Sequence, residues 1–288
     1  MKNKEEQITL DDYLKNPLQG VVQRKSRSVA VQHNSLVEAR YKLTLNEQKL
    51  MLFACSKIDR SKKDFELVRI PVNEIAQVLS LTRSKALYAR IDKVFKGLLT
   101  KDIYIFTKAK NNTKRLLHTT WMSSCEYSVD GWIEYEFSKK LKQLLLNLKK
   151  HYTTAFLDDI IKFKSEHTIR LYLIARRYKN LEYPFVLFDY KEFKKMLGLE
   201  GKYKSFKDFK KYVLDRAKKE LSENRVGLNF IYEEERFRKS VVRLKLFFYN
   251  PKKTKSPKMP KFSFDLTMQG VENAKIFKEY WSKHNATS

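Results

Sequence analysis

The protein is a chain of 288 residues with 60 Lys and Arg against 33 Asp and Glu, so its formal net charge is +27 at pH 7. Hydrophobic residues make up 42% of the sequence and aromatic residues 13%, which is enough to bury a core and excludes wholesale disorder. Only seven Gly and six Pro occur, which excludes collagen-like and linker-dominated chains. Two cysteines, Cys55 and Cys125, exclude a disulfide scaffold and most zinc modules. The length predicts about two domains.

The surplus of positive charge predicts a polyanionic partner. A nucleic acid relieves the self-repulsion through counterion release, whereas an anionic membrane favours a basic amphipathic helix or a polybasic block beside an apolar anchor. Lys and Arg are spread here through regions with regular apolar spacing, which favours nucleic acid. The longest wholly apolar run, 50–55, is far below the roughly 18 residues of a membrane span. We therefore expect a cytoplasmic protein without a secretory signal or a membrane partner.

In chain order, the first half of the sequence predicts a flexible arm followed by alternating helices and strands. Residues 1–33 are polar with short apolar islands and predict the arm. Thr44 and Glu47 match a capping box at a helix start, and Asp130-Gly131 between alternating apolar residues predicts a hairpin turn. The expected elements are helices over 44–60, 71–79, 82–99 and 138–150, and strands over 65–70, 103–107, 116–129 and 132–137.

The second half repeats this order. Three helices are predicted: one over 166–178, one that begins after the N-cap Asp189 and ends at Leu197-Gly198, and one over 205–222. The expected strands are 185–188, 226–232 and 241–249, and a charged turn over 233–239 joins the last two. At a constant offset of 118 residues, Ile75, Leu79 and Leu81 correspond to Phe193, Leu197 and Leu199. Chance matching of amphipathic patterns is the alternative, but the ordered agreement of the elements favours a duplication.

Helix, strand, short helix, longer helix and hairpin is the order of a winged helix-turn-helix. We therefore predict an α+β fold with two tandem winged-helix domains. The expected division is an N-terminal arm over 1–33, a first domain over 34–162, a second domain over 163–250, and a basic linker and tail over 251–288. An amphipathic segment over 264–281 predicts a tail that folds back on its own domain, with docking of a host protein as the alternative.

Both longer helices are predicted to bury an apolar side and to present a basic side. A major-groove recognition helix needs this arrangement, although an ordinary surface helix with a solvated lysine face has it too. Basic residues near each hairpin predict wing tips that approach phosphates. The expected DNA-binding residues are Arg83, Ser84, Lys85, Lys93, Lys96, Lys114 and Arg115 in the first domain, and Lys202, Lys204, Ser205, Lys207, Lys210, Lys211, Lys218, Arg236, Arg238 and Lys239 in the second.

Two such domains predict the size of the DNA site. Successive major grooves on one face of a duplex lie about 34–36 Å apart, so one monomer is expected to cover roughly 20 bp. Such a site need not be palindromic.

The sequence lacks the usual signatures of catalysis. It holds no Gly-rich phosphate loop, and its five histidines (33, 118, 151, 167 and 284) are too scattered for the metal cluster of a nicking relaxase. Cys55 falls in a buried helix, and Asp158-Asp159 fits a helix start or a surface role. We therefore expect no catalytic residue, no metal, no cofactor and no enzymatic activity.

Three segments carry a resemblance to a known family. They are NSLVEARYKLTLNEQKLML with KID over 34–59, SEHTIRLY over 165–172, and MLGL with KYKSFKDFKKYVLDRA over 196–217. In combination they resemble plasmid replication initiators of the RepB/RepE/Pi type, over about residues 34–250.

The resemblance implies that monomers bind directly repeated origin sequences (iterons) and help to open the origin in the bacterial cytoplasm. It implies dimers, formed mainly through the first domain, that inhibit initiation or repress the initiator's promoter, and it implies the host initiator protein and replicative helicase as partners. The second domain is expected to make the stronger base contacts. Relatives often carry Arg at the positions of Lys204, Lys207, Lys210 and Lys211, and lysine favours point-charge contacts over bidentate pairing with guanine. A transcriptional repressor without initiator activity and a nicking enzyme are the alternatives.

Overall fold

The chain folds as two copies of one helix–strand–helix–helix–hairpin unit, in a computed structural model that describes residues 28–108, 114–181 and 184–254. The predicted arm up to residue 27 and the predicted tail from residue 255, including the segment over 264–281, lie outside the described residues.

The first domain contains the first copy and several additional elements. Its helix α2 begins at the N-cap Thr44, whose side chain accepts from the Glu47 amide while the Glu47 carboxylate accepts from the Thr44 amide, so the predicted capping box is confirmed. The elements are β1 (Val29–His33), α1 (Asn34–Val37), β2 (Arg40–Tyr41), α2 (Leu45–Ser56), β3 (Val68–Pro71), α3 (Val72–Leu79), α4 (Leu87–Thr100), β4 (Ile103–Lys108), β5 (Lys114–Thr119), β6 (Met122–Tyr127), β7 (Trp132–Phe137), a 3-10 turn (Lys139–Leu141), α5 (Lys142–Leu145), β8 (Tyr152–Phe156) and α6 (Leu157–Ile160).

The second copy follows with fewer additions. Helix α7 has the predicted bounds, and Asp189 caps α8 by accepting a hydrogen bond from the Glu192 amide, as expected. The elements are α7 (Glu166–Tyr178), β9 (Phe185–Asp189), α8 (Tyr190–Met196), α9 (Phe206–Phe209), a π-helical turn (Lys210–Asp215), α10 (Arg216–Glu223), β10 (Asn229–Phe237) and β11 (Ser240–Tyr249).

The sheets confirm the tandem winged-helix architecture. In each copy, the strand before the short helix pairs antiparallel with the second strand of the hairpin, which gives the orders β3-β7-β6 and β9-β11-β10. The first domain adds a sheet of order β2-β4-β5 and a β1-β8 pair. We name the β6–β7 hairpin the first wing and the β10–β11 hairpin the second wing.

Several predicted boundaries are wrong for identifiable reasons. The end of the predicted arm, 29–33, is instead strand β1, with Ala30 and Val31 buried. The predicted strand over 116–129 is broken at Trp121, because this fully buried ring packs edge-on against Tyr41 at 5.2 Å. The predicted helix over 138–150 ends at Leu145, after which Leu146 is extended and buried.

One continuous core joins the two domains. Buried Arg170, on α7, donates from one guanidinium nitrogen to the carbonyl oxygens of Ala39 (2.8 Å) and Met196 (3.1 Å), which lie on either side of the junction. Arg40 and Glu192 form an ion pair across the same junction. The junction therefore fixes the orientation of one winged-helix domain relative to the other in this conformation.

Candidate nucleic-acid interface

The second domain presents a helical surface with a row of exposed lysines. Residues 206–223 form one continuous helical rod, named here basic helix 2. Of its predicted core residues, Phe209, Val213, Ala217 and Leu221 are buried, whereas Phe206 at its start is only partly buried. Ser205 caps its start by accepting from the Asp208 amide at 3.1 Å. The predicted residues Lys202, Lys204, Ser205, Lys207, Lys210 and Lys211 are all exposed at or near its N-terminal half.

A π-helical turn in the middle of basic helix 2 was not predicted. The buried residues repeat every four positions, and in a regular α-helix such a row drifts by about 40° per step. The wider turn over Lys210–Asp215 keeps the row facing the core. As a result, Lys218 does not continue the exposed lysine row: it is half-buried, with its ammonium 5.3 Å from the centre of the Tyr232 ring.

The second wing lies beside the start of basic helix 2. The Arg236 guanidinium lies 5.9 Å from the centre of the Phe206 ring, and the Lys210 ammonium lies 5.8 Å from the Tyr232 ring. Phe206 is the first residue of α9, while Arg236 and Tyr232 belong to β10. The structure therefore brings the predicted lysines of the helix and the predicted arginines of the wing onto one surface.

The expected charged turn over 233–239 is mostly strand. Only Arg238, with φ of 54°, and Lys239 form the turn. The acidic residues lie along β10 and are paired: Lys245 lies 2.8 Å from Glu235 and 3.4 Å from Glu233, and Arg236 lies 3.4 Å from Glu234. Burial alone raises the pKa of Glu235, but the hydrogen bond from Lys245 and the nearby charges hold it below its ordinary value. The tip is therefore basic despite the three neighbouring glutamates.

The loop that leads into basic helix 2 is held by residues that the sequence analysis did not select. Lys194 donates to the carbonyl oxygens of Lys202 (2.5 Å) and Tyr203 (3.0 Å), and burial lowers the pKa of its ammonium. The Tyr203 hydroxyl lies 3.1 Å from Nε2 of buried His167. No local sequence pattern marks these contacts, because each joins residues of separate elements.

In the first domain, α4 carries the expected basic residues only in part. Lys93 and Lys96 are exposed on the helix. Arg83, Ser84 and Lys85 are also exposed, but they lie in the bend before α4, because the helix begins at Leu87 and not near residue 82.

The two predicted wings are not equivalent. Lys114 and Arg115 lie on β5, in the additional sheet, and not on the first wing that corresponds to the second. The first wing, 122–137, contains Glu126, Asp130, Glu134 and Glu136 and has no Lys or Arg. Its charge is unsuited to phosphates, so the expectation of a basic wing in each domain is wrong for the first.

Within the described part of the chain, no helix is long and apolar enough to cross a bilayer. The same residues contain no group of three or more His, Cys, Asp or Glu side chains placed to hold a metal ion.

The chain is similar to several known proteins. A "Replication initiation protein" of Escherichia coli is 26% identical over 204 residues, which are 68% of this chain and 63% of that relative's length. The structure resembles the Pi initiator protein solved in complex with iteron DNA, with a TM-score of 0.62 and 18% identity over 78% of this chain and 98% of that one. It also matches domains 2 and 3 of RctB at a TM-score of 0.39 and 13% identity, over 81% of this chain and 95% of that one.

Two family models match the chain directly. The model described as "Initiator Replication protein, WH1" matches residues 29–176, and the model described as "Initiator Rep protein, WH2" matches residues 189–248. Because these matches span 148 and 60 of its 288 residues, the chain belongs to the family of initiator replication proteins, with one winged-helix domain from each model.

Proposed function

We propose that this protein initiates plasmid replication by binding directly repeated sequences (iterons) in duplex DNA at the origin. The observation that carries the proposal is the contact between Arg236 and Phe206, which places the tip of the second wing beside the start of basic helix 2. Family membership and the similar fold of the Pi initiator, solved with iteron DNA, support the same conclusion.

In this proposal, basic helix 2 enters the major groove and the second wing follows the adjacent backbone. The exposed lysines at 204, 207, 210 and 211 lie at the N-terminal end of the helix, the end that contacts base edges in helix-turn-helix proteins. Their ammonium groups are flexible point charges, so we expect a large share of the affinity to come from phosphates. Between 50 and 200 mM salt, neutralising six to ten phosphates predicts an affinity loss of about 10³- to 10⁵-fold.

The first domain is proposed to contribute fewer phosphate contacts and to carry self-association. Lys93, Lys96 and the bend at Arg83–Lys85 supply its basic surface. The acidic first wing is repelled by phosphates and leaves a surface for a protein partner, which supports dimers that regulate initiation.

We propose further that the bound monomers help to open the origin and recruit the host initiator protein and replicative helicase. The protein is proposed to act in the bacterial cytoplasm as a binding protein, without a catalytic step, a metal or a cofactor.

Electrophoretic mobility shift on direct repeats from the parent replicon tests the DNA-binding proposal. The variant Lys204→Ala/Lys207→Ala/Lys211→Ala is expected to lose specific complexes at 150 mM salt while keeping its circular dichroism spectrum. The control variant Lys63→Ala/Lys149→Ala/Lys150→Ala removes the same charge from exposed positions outside the predicted surface. It is expected to retain specific binding.

Equal affinity of the wild-type protein for repeats and for random duplex would overturn the proposal, and so would equal affinities of the two triple variants. A complementation experiment separates an initiator from a repressor. A plasmid that carries the origin should replicate only when this gene is supplied in trans if the protein is an initiator, and replication without the gene would favour the repressor.

A further inference from the structure

The tip of the second wing exposes a large aromatic side chain that the DNA-binding residues above do not include. Phe237 is 66% exposed, whereas Phe230 and Phe248 on the same hairpin are buried in the core. An exposed phenylalanine at the end of a projecting hairpin leaves most of its ring in water, so a partner that covers the ring gains free energy from its burial.

The hairpin geometry directs this ring outward. Phe237 is the last residue of β10 and is followed by the two-residue turn at Arg238 and Lys239. A bulge between Glu235 and Arg236 shifts the pairing register just before it. Such bulges bend a strand and redirect the next side chains.

The charge around Phe237 favours duplex DNA as the partner that covers it. It lies between Arg236 and Arg238, and the Arg238 guanidinium is 5.6 Å from the centre of its ring. Arg236 also contacts Phe206 at the start of basic helix 2, so the tip lies on the same surface as the helix lysines. Flanking cations suit phosphates on both sides of a groove, and they are unfavourable for docking on a neutral apolar protein surface.

We propose that Phe237 is an apolar wedge that enters the minor groove beside the site read by basic helix 2, and partly unstacks one base step. Proteins that bind the minor groove use Phe, Leu, Ile, Met and Pro in this way and kink the duplex toward the major groove. The inference rests on the proposed function and deepens it, because a wedge at each bound repeat distorts the duplex that an initiator must open. Pyrimidine–purine steps, which kink most easily, are the expected position.

A fluorescence experiment on the full chain tests the wedge. Duplex repeats carry 2-aminopurine at successive positions flanking the bound site, and the fluorescence of this base rises when it is unstacked. With saturating wild-type protein, we expect a several-fold rise at one step and a bend measured by energy transfer between end labels. Phe237→Ala is expected to abolish both signals, and Phe237→Leu to retain most of each, because leucine also serves as a wedge. Leu67→Ala, which removes a comparably exposed apolar side chain (61%) from the first domain, is the control and should match the wild type.

The outcomes separate the wedge from the proposed function. Equal fluorescence and bending for Phe237→Ala and the wild type would overturn the wedge. If Phe237→Ala also changed the oligomeric state, the ring would be a contact between protein chains. Equal binding of repeats and random duplex would instead overturn the iteron proposal, and the same variants on the random duplex would still decide whether the ring unstacks bases.

Discussion

Gly198 and the backbone of Tyr41 approach so closely that a Cβ atom on Gly198 would lie 2.7 Å from the Tyr41 carbonyl oxygen. Gly198 follows α8 of the second domain with φ of 68°, and Tyr41 belongs to β2 of the first. The glycine predicted as a helix terminator therefore has a second role, because it lets the two domains pack backbone to backbone.

The first prediction uses Gly201 as a matched control for Gly198. Both have positive φ (73° at Gly201), but an added Cβ at Gly201 meets no atom within 4 Å. We expect Gly201→Ala to lower the free energy of unfolding by about 1–2 kcal/mol from backbone strain alone. Gly198→Ala should cost about 1–3 kcal/mol more because of the clash. Urea denaturation of both variants measures the difference, and equal costs would contradict the close packing.

A second prediction concerns Gly97, where an added Cβ would lie 2.0 Å from the Glu47 carboxylate. That carboxylate accepts hydrogen bonds from the Thr44 amide (2.7 Å) and the Lys101 ammonium (2.6 Å). Alanine gains about 1 kcal/mol over glycine inside a helix, but the buried carboxylate must move away from both donors, so we expect Gly97→Ala to destabilise the protein by a net of about 1 kcal/mol.

A double-mutant cycle checks this cause. In a Glu47→Ala background, Gly97→Ala should cost much less. Costs that simply add would mean that the strain lies elsewhere.

The third prediction is a loss of stability in mild acid. Burial lowers the pKa of His167 from its ordinary 6.5, and Lys202 and Arg216 lower it further, while Glu166 and Glu220 oppose the shift. Between the folded pKa and 6.5 the unfolded chain binds more protons, so the free energy of unfolding rises with pH and falls as the pH drops through 6.5. At pH 5.5 this one group contributes a loss of at most about 1.4 kcal/mol.

Urea denaturation at pH 7.5 and 5.5 measures this loss. His167→Gln should show a smaller change than the wild type. The variant should still lose some stability between pH 7.5 and 5.5, because His33 also has a lowered pKa. Burial lowers that pKa, and so do the nearby charges of His151 and Arg177. An unchanged slope in the variant would refute the role of His167.

The fourth prediction concerns the loop before basic helix 2. Lys194→Met keeps the aliphatic stem but removes the donor to the carbonyl oxygens of Lys202 and Tyr203. We expect about a 5- to 10-fold loss of affinity for repeats with little change in fold, since the loop must then be ordered on binding. Fluorescence anisotropy with labelled repeats measures this, and Lys191→Met, at an exposed position of the same helix, removes an equal charge as the control. Equal losses in the two variants would indicate a charge effect alone.

Local patterns predicted those parts of the fold that short segments specify. The capping box at Thr44 and Glu47 and the cap at Asp189 form through contacts three residues apart, so the sequence alone contains them. The 118-residue offset likewise predicted the repeat of strand and short helix, because Ile75 and Leu79 are buried in the first copy as Phe193 and Leu197 are in the second. The helical periodicity also predicted the exposed lysines of basic helix 2 correctly up to Lys211, but not Lys218, which is half-buried.

The remaining features depend on partners distant in the sequence. Trp121 interrupts a strand because Tyr41 receives its ring, and 29–33 forms a strand because β8 offers an edge. The Asp130-Gly131 pattern correctly predicted the β6–β7 hairpin, but only strand pairing showed that Lys114 and Arg115 belong to the β2-β4-β5 sheet and not to that wing. Amino-acid sequence alone determined a basic, duplicated winged-helix protein, because caps, periodicity and net charge are local or additive properties. Tertiary structure decided which basic residues meet on one surface, since that depends on how separate elements pack.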